Sequence, residues 1–371
     1  MLDVVRAVAR WAAVRRCKSY KSVGAKQAAE RSSPSSAMLL LARTSLFALT
    51  TGTRALRVSP VPRMAFQPPA RIAAVVSDMD GTLFSFAGRG LSAGNIEAFR
   101  GCMSNNVHVC LATGRIPGPW HTEVCEQLGP GLGPCVFGNG ALVLDEEQRV
   151  IWEAQLPEEI ISIVLGLTRG GTAAAGGRLC VLAATRWEQE PDAAYGGLRY
   201  CELSPDGGRT PITELIDRAG EPPAVVLPSL DGFEQRQLLK FVIWTQPGED
   251  GWADMPSFVG ELRTALAGTG ATLLDHGTRW CEVLPPDVNK GTGVLRLLDR
   301  LGVAPEAVLA CGDAENDVEM LALAGVGAAV ANAQPAALAA ADVVVASNAD
   351  DGVAEAIKQY VWAGGAPGPR E

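Results

Sequence analysis

The chain reads as short apolar runs that stop at polar loops, separated by stretches in which apolar residues recur every three or four positions. Residues 71–77 include Ile72, Val75 and Val76 and are halted by Asp78 and then Gly81, which predicts a buried strand ending in a tight loop. Residues 107–112 and 307–311 repeat the pattern and end in Thr113-Gly114-Arg115 and Gly312-Asp313. Val294, Leu297, Leu298 and Leu301 recur at helical spacing, so 291–301 is predicted to be an amphipathic helix with Lys290 just before its first turn. Pro117 marks a helix over 117–128, residues 135–138 read as a strand, and 141–152 as a hairpin-like pair. The stretch from Asp78 to Thr113 has the length of one strand, helix and strand unit. The stretch from Arg115 to Lys290 is long enough to hold a further domain.

That further stretch, 155–284, mixes both periods. Residues 179–183, 238–245, 271–274 and 280–284 read as strands, 255–267 as a helix, and the Gly/Ala-rich 170–177 as a flexible loop. The aromatics Trp187, Tyr195, Tyr200 and Trp244 are expected for the most part to fill its core rather than contact a substrate, and Lys240 to be a strand-edge charge rather than a ligand contact.

Four polar segments fall where these runs end, and in open parallel sheets ligands bind just outside the carboxyl ends of strands. Asp78 and Asp80, at i and i+2 before Gly81-Thr82, can point the same way from a loop and share a divalent cation; Mg²⁺ suits such hard oxygen donors and commonly joins carboxylates to a substrate phosphate. With the anion's repulsion cancelled, Asp78 can attack phosphorus, and Asp80 can protonate the leaving oxygen and then activate water. The Thr113 hydroxyl and the Gly114 amide would hold phosphate oxygens, the Lys290 ammonium would balance nucleophile and phosphate, and Asp313 would add a metal oxygen. Asn316 and Asp317 would complete the outer shell or position Lys290. Each segment also has a plainer reading: an acidic turn, an ordinary strand-to-helix connection, a solvated lysine, and a helix capped by Asp313 with Asp317 facing solvent. All four plain readings must hold together for the site to be an illusion.

With these segments the chain resembles the haloacid dehalogenase superfamily phosphatases of the Cof type, over roughly residues 71 to 362. The resemblance is carried by Asp78-Met79-Asp80-Gly81-Thr82-Leu83, Val288-Asn289-Lys290-Gly291 and Gly312-Asp313-Ala314-Glu315-Asn316-Asp317, supported by Asn139-Gly140-Ala141, Ala331-Asn332-Ala333 and Asp351-Gly352-Val353. It implies an α/β fold: a Rossmann-like core with a parallel sheet over 71–154 and 285–362, and an inserted α/β cap domain over 155–284. It also implies Asp78 as nucleophile, Asp80 as general acid and base, Mg²⁺ held by Asp78, the Asp80 backbone carbonyl and Asp313, and phosphate bound by Thr113, Gly114, Lys290 and Asn316. Met79 stands where Leu is more usual, and Gly138 where Ser often precedes Asn139.

Composition narrows the picture further. Residues 1–66 carry 12 Lys or Arg against Asp3 and Glu30, leaving 20 basic and 39 acidic side chains in the rest, a balance that disfavours broad nucleic-acid binding. The leader, rich in Arg, Ser and Ala, is expected to be a targeting peptide, to the chloroplast before the mitochondrion, with a cytoplasmic tail lacking any address as the alternative. Its apolar run at 37–49 is interrupted by Arg43 and too short to span a bilayer, and Ala65-Phe66 resembles a cleavage region. Nine cysteines without a Cys-x-x-Cys pair suggest neither zinc nor a disulfide framework, and three histidines outside any triad context make a serine or cysteine hydrolase improbable. The expected partner is a small phosphorylated metabolite, a sugar phosphate or a flavin or nucleotide precursor. The rival readings are a phosphomutase and a non-catalytic sugar-phosphate-binding protein.

Overall fold

The computed structural model describes Pro69 and residues 71–84, 90–169, 178–186, 197–204, 208–209, 211–228, 237–248, 251–252, 254–277 and 279–362. The leader, the 170–177 loop, Trp187 and Tyr195 lie outside the described residues. In chain order the strands are β1 (Ala74–Ser77), β2 (His108–Leu111), β3 (Cys135–Phe137), β4 (Leu142–Leu144), β5 (Val150–Glu153), β6 (Arg178–Arg186), β7 (Leu198–Leu203), β8 (Val225–Leu227), β9 (Leu238–Gly248), β10 (Gly251–Trp252), β11 (Ala271–Asp275), β12 (Trp280–Pro286), β13 (Val308–Gly312), β14 (Val326–Val330) and β15 (Val343–Val345).

Among the described residues the strands form three sheets. The first is parallel, in the order β15-β14-β13-β1-β2, and its near-continuous apolar strands are what burial on both faces demands. Its register sets Ser77 of β1 level with both Leu111 of β2 and Cys311 of β13. The loops that begin at Asp78, Ala112 and Asp313 therefore leave the same edge at the same height. The hairpin-like pair at 141–152 is found as β4 and β5, joined by β3 in a three-stranded antiparallel sheet.

The other sheet, β11-β12-β9-β6-β7-β8 with β10 on β9, is antiparallel apart from the β7–β8 pair. Strand alternation gives it two different faces. Val181, Ala183, Phe241, Ile243, Cys281 and Val283 pack against the helices Glu158–Arg169 and Met255–Ala265. Leu182, Ala184, Tyr200, Val242 and Leu284, on the opposite face, join the apolar cluster that also contains the parallel sheet. Tyr200 and Trp244 pack in this second cluster rather than among the helices, where the core of the insertion was expected to hold them, and Trp244 stacks on Trp280 with ring centroids 5.1 Å apart.

Lys240 is not the strand-edge charge expected. β9 lies between β12 and β6, and Lys240 is only 2% exposed, with its ammonium 2.7 Å from Glu282 Oε2. Glu282 sits opposite Val242, so the pair are diagonal neighbours on one face. Burial raises the Glu282 carboxyl, but Lys240 and His276 outweigh it and bring it from 4.5 down to about 2.

The loop Gly138–Gly140 closes this arrangement. Gly140 has φ +102°, and a Cβ there would lie 2.1 Å from the backbone oxygen of Asn289, the residue that caps the helix Lys290–Leu301.

Two outcomes follow from these contacts. Gly140→Ala should destabilise the protein by about 2 kcal/mol or more, read as a lowered urea midpoint; an unchanged midpoint would show that the close approach is absent. Because Glu282 is depressed in the folded state, its contribution is fully present above pH 4.5 and is lost as pH falls through about 2. The stability gap between wild type and Glu282→Gln should therefore be widest near neutral pH and narrow on acidification, and a pH-independent gap would contradict the ion pair.

Candidate active site

Asp78 is the first residue beyond β1, and Asp313 the first beyond β13; the common register of those strands brings them together. Lys290 is the first residue of its helix. The Asn289 side chain accepts from the Thr292 amide at 2.9 Å and Thr292 Oγ1 accepts from the Asn289 amide at 3.0 Å, a reciprocal cap that fixes where the helix begins and so where Lys290 points. Its ammonium donates to Asp78 Oδ1 and, at 2.7 Å, to Asp317 Oδ1.

Asp317 is fully buried rather than facing solvent. Its second oxygen accepts the amides of Asp313 and Ala314 at 2.9 and 3.0 Å, so this one carboxylate holds both the lysine and the loop that carries Asp313. Thr82 Oγ1 donates to Asp313 Oδ1 at 2.9 Å. Gly81, at φ +87°, leaves the space a side chain would take, since its Cβ would lie 2.4 Å from Asp313 Oδ2.

Carboxylate oxygens of Asp78, Asp313 and Asp317 lie within 4.8 Å of one another. Three carboxylates thus face one ammonium. Burial, with Asp317 and Asp313 nearby, pushes the Asp78 carboxyl well up against the pull of Lys290; burial and Asp317 push Asp313 up to about 6. A buried cluster of hard oxygens with surplus negative charge fits a divalent cation such as Mg²⁺, which would relieve that surplus.

Asp80 lies elsewhere. Its carboxylate is outside the three-carboxylate group and receives both arms of Arg115, Nε at 2.7 Å and Nη2 at 2.5 Å. Arg115 Nη1 also donates to the Ala219 oxygen at 2.8 Å, and its guanidinium lies 5.7 Å from the Phe84 ring centre and 5.5 Å from that of Trp120. Beside it the Ile116 amide donates to Glu221 Oε2 and the Trp120 amide to the Gly220 oxygen. Burial raises the Glu221 carboxyl to about 7, with Arg115 and Lys240 opposing.

Thr113 is buried, with its hydroxyl oxygen accepting the Arg115 amide at 3.1 Å. The Gly114 oxygen accepts from Lys240 Nζ at 2.7 Å. The Asn316 side-chain amide donates to Asn139 Oδ1 at 2.9 Å, and Asn139 donates in turn to Glu282 Oε2 at 3.1 Å. Reading the sequence missed Lys240, Glu282 and Arg115. The signal was there for two of them: single charges inside otherwise apolar strands, Leu238-Leu239-Lys240-Phe241-Val242 and Trp280-Cys281-Glu282-Val283-Leu284.

The sequence model of the haloacid dehalogenase-like hydrolases matches residues 75–169 and 254–357. Among curated relatives, the chloroplastic endoribonuclease YBEY of Arabidopsis thaliana is 27% identical over 78% of this chain and 46% of its own length. The phosphoglycolate phosphatase of Methanoculleus marisnigri is 47% identical over 25% of this chain and 39% of its own. The 5-amino-6-(5-phospho-D-ribitylamino)uracil phosphatase YitU of Bacillus subtilis is 36% identical over 28% and 40%. The chain thus spans less than half the length of each of these relatives. Solved structures share the fold across nearly their whole length: the haloalkanoate-superfamily phosphatase BT1666 of Bacteroides thetaiotaomicron (21% identity, TM-score 0.60, 82% of this chain and 98% of that one) and a COF-like hydrolase of Plasmodium vivax (21%, 0.64, 78% and 95%). The chain belongs to the haloacid dehalogenase-like hydrolase family.

Proposed function

We propose that the chain is a Mg²⁺-dependent phosphatase that hydrolyses a small phosphate monoester through an aspartyl-phosphate. The observation that carries this reading is the buried meeting of Asp78, Lys290, Asp313 and Asp317, drawn from separate strand ends and a helix start. Binding alone has no need for a desolvated nucleophile held against an ammonium.

In this reading an Asp78 oxygen forms a bond to phosphorus as the bond to the leaving oxygen breaks, and Asp80, released from its ion pair with Arg115 and protonated, gives its proton to that oxygen. Water then attacks phosphorus, its proton passes to Asp80, and the bond to Asp78 breaks. Lys290, the Thr113 hydroxyl and the Gly114 amide hold phosphate oxygens, with Asn316 at the margin of the site. Asp78, Asp313 and the backbone carbonyl of Asp80 would hold Mg²⁺, which supplies charge neutralisation for the transferring group. Residues 71–154 and 285–362 act as the catalytic core and 155–284 as a cap, a division supported by the separate second sheet. Cap segments facing the site would choose among substrates. The named activities of the relatives, on phosphoglycolate and a phosphorylated ribitylaminouracil, support a sugar phosphate or a flavin or nucleotide precursor as substrate class.

The leader is read as a plastid address, supported by its Arg, Ser and Ala content and its scarcity of acids. Among the described residues, no helix is long and apolar enough to cross a membrane.

Wild-type protein should release free phosphate from an aryl phosphate with Mg²⁺ and stop when the metal is chelated. Asp78→Asn should lower kcat by more than about a thousandfold with its circular dichroism unchanged; undiminished release would reject the nucleophile, and an isomerised sugar phosphate as product would make the enzyme a mutase. Residues 1–66 fused to a fluorescent reporter should co-localise with chlorophyll in a plant cell, whereas diffuse cytosolic signal would reject the address.

A further inference from the structure

Lys240 and Glu282 are each only 2% exposed, and both reach out of their own sheet to loops of the active site. Lys240 Nζ, besides its ion pair, donates to the Gly114 oxygen at 2.7 Å. The other end of the same peptide unit, the Arg115 amide, donates to Thr113 Oγ1 at 3.1 Å. The Gly114–Arg115 peptide is therefore pinned at its oxygen and at its nitrogen, and its plane cannot turn without breaking one of the two bonds. A hydroxyl carries one proton and two lone pairs. With a lone pair of Thr113 Oγ1 taken by an N–H, its proton is the part left to offer an anion.

Glu282 holds the same loop from a second side. Its Oε2 accepts from both Lys240 and the Asn139 amide; the Asn139 backbone N–H donates to the Thr113 oxygen at 2.9 Å, and Asn139 Oδ1 accepts from Asn316. Two loops of the site, 113–115 and the one bearing Asn316, are thus joined through a single carboxylate. Its other oxygen lies 3.5 Å from His276 Nε2, and the His276 ring lies flat on Trp280 at 3.6 Å.

We infer that Lys240 and Glu282 are positioning residues: they lock the Gly114–Arg115 peptide so that the Thr113 hydroxyl is presented as a donor to the phosphoryl group, and they set Asn316 through Asn139. This rests on the reading of Thr113 as a phosphate ligand. An ion pair serving only to hold the sheet together would need neither the Gly114 oxygen nor the Asn139 amide.

The test compares wild type, Lys240→Met/Glu282→Leu, Thr113→Val and the triple combination. Replacing both members of a buried pair by apolar residues of similar size commonly preserves the fold. The double variant should keep its urea midpoint within the range of ordinary core variants, exchange the amides of 113–116 faster than wild type, and lose roughly 10- to 100-fold in both kcat/KM for p-nitrophenyl phosphate and affinity for inorganic phosphate. Thr113→Val should weaken phosphate binding in wild type and add little in the double variant, because both changes remove the same donor. Fully additive losses, or unchanged exchange and phosphate affinity in a folded double variant, would overturn the inference. Should the double variant fail to fold, Glu282→Gln, which keeps the volume, takes its place beside Thr113→Val, and additive losses or unchanged exchange there would overturn the inference equally. If wild-type protein with Mg²⁺ releases no phosphate, the phosphatase reading fails while the exchange and phosphate-affinity results still decide this one.

Discussion

Taking an ammonium and its neighbouring carboxylates out of water costs several kcal/mol per ion, and the site around Lys290 persists because each charge is met by a partner at hydrogen-bonding distance. Asp317 carries most of that duty, with one oxygen on Lys290 and the other on two backbone amides. The compensation stops short of neutrality. Asp78 and Asp313 are held where both carboxyls resist ionisation, so the buried cluster keeps a surplus of negative charge that a cation would relieve. The parallel sheet serves this end. Its strands hold a common register, and the polar residues that follow them converge without strain in the strands themselves.

The loop from Gly114 to Trp120 is where the second sheet and its neighbours meet this centre. Lys240 holds the Gly114 oxygen, the Ala219 oxygen takes an arm of Arg115, Glu221 takes the Ile116 amide, and the Gly220 oxygen takes the Trp120 amide. One loop therefore answers both to the parts that would recognise phosphate and to the parts that would recognise the rest of the molecule. Arg115 extends that link to Asp80, so a change in the 219–221 segment reaches the Asp80 carboxylate through a single side chain.

The chemistry-bearing residues next to strand ends were legible in the sequence because two independent signals coincide there: a buried run, and a polar or charged residue ending it. Asp78, Thr113 and Asp313 fall at such junctions, and Lys290 at a capped helix start. The long insertion was harder. β7, β8 and the helices Glu158–Arg169 and Pro211–Arg218 were not read, since one face of that sheet packs on helices and the other on the core, which blurs simple alternation. Lys240 and Glu282 were misjudged or overlooked for a related reason. A charge in an apolar strand is stabilised only by a partner on another strand, and pairing across strands is invisible to local periodicity. The placement of Asp80 against Arg115 is likewise tertiary: nothing in Asp-Met-Asp-Gly announces which way the second carboxylate turns.

The central strand pairing joins Ala74 to Val308, so the middle of the parallel sheet is completed only after the whole insertion has been synthesised. At ordinary elongation rates β1 waits roughly 10 to 50 seconds for its neighbour, an apolar edge with unmet amides and carbonyls emerging from the ribosome. Nascent chains interrupted within the insertion would be clients for holding chaperones, and expression yield would depend on that wait as much as on the stability of the finished molecule.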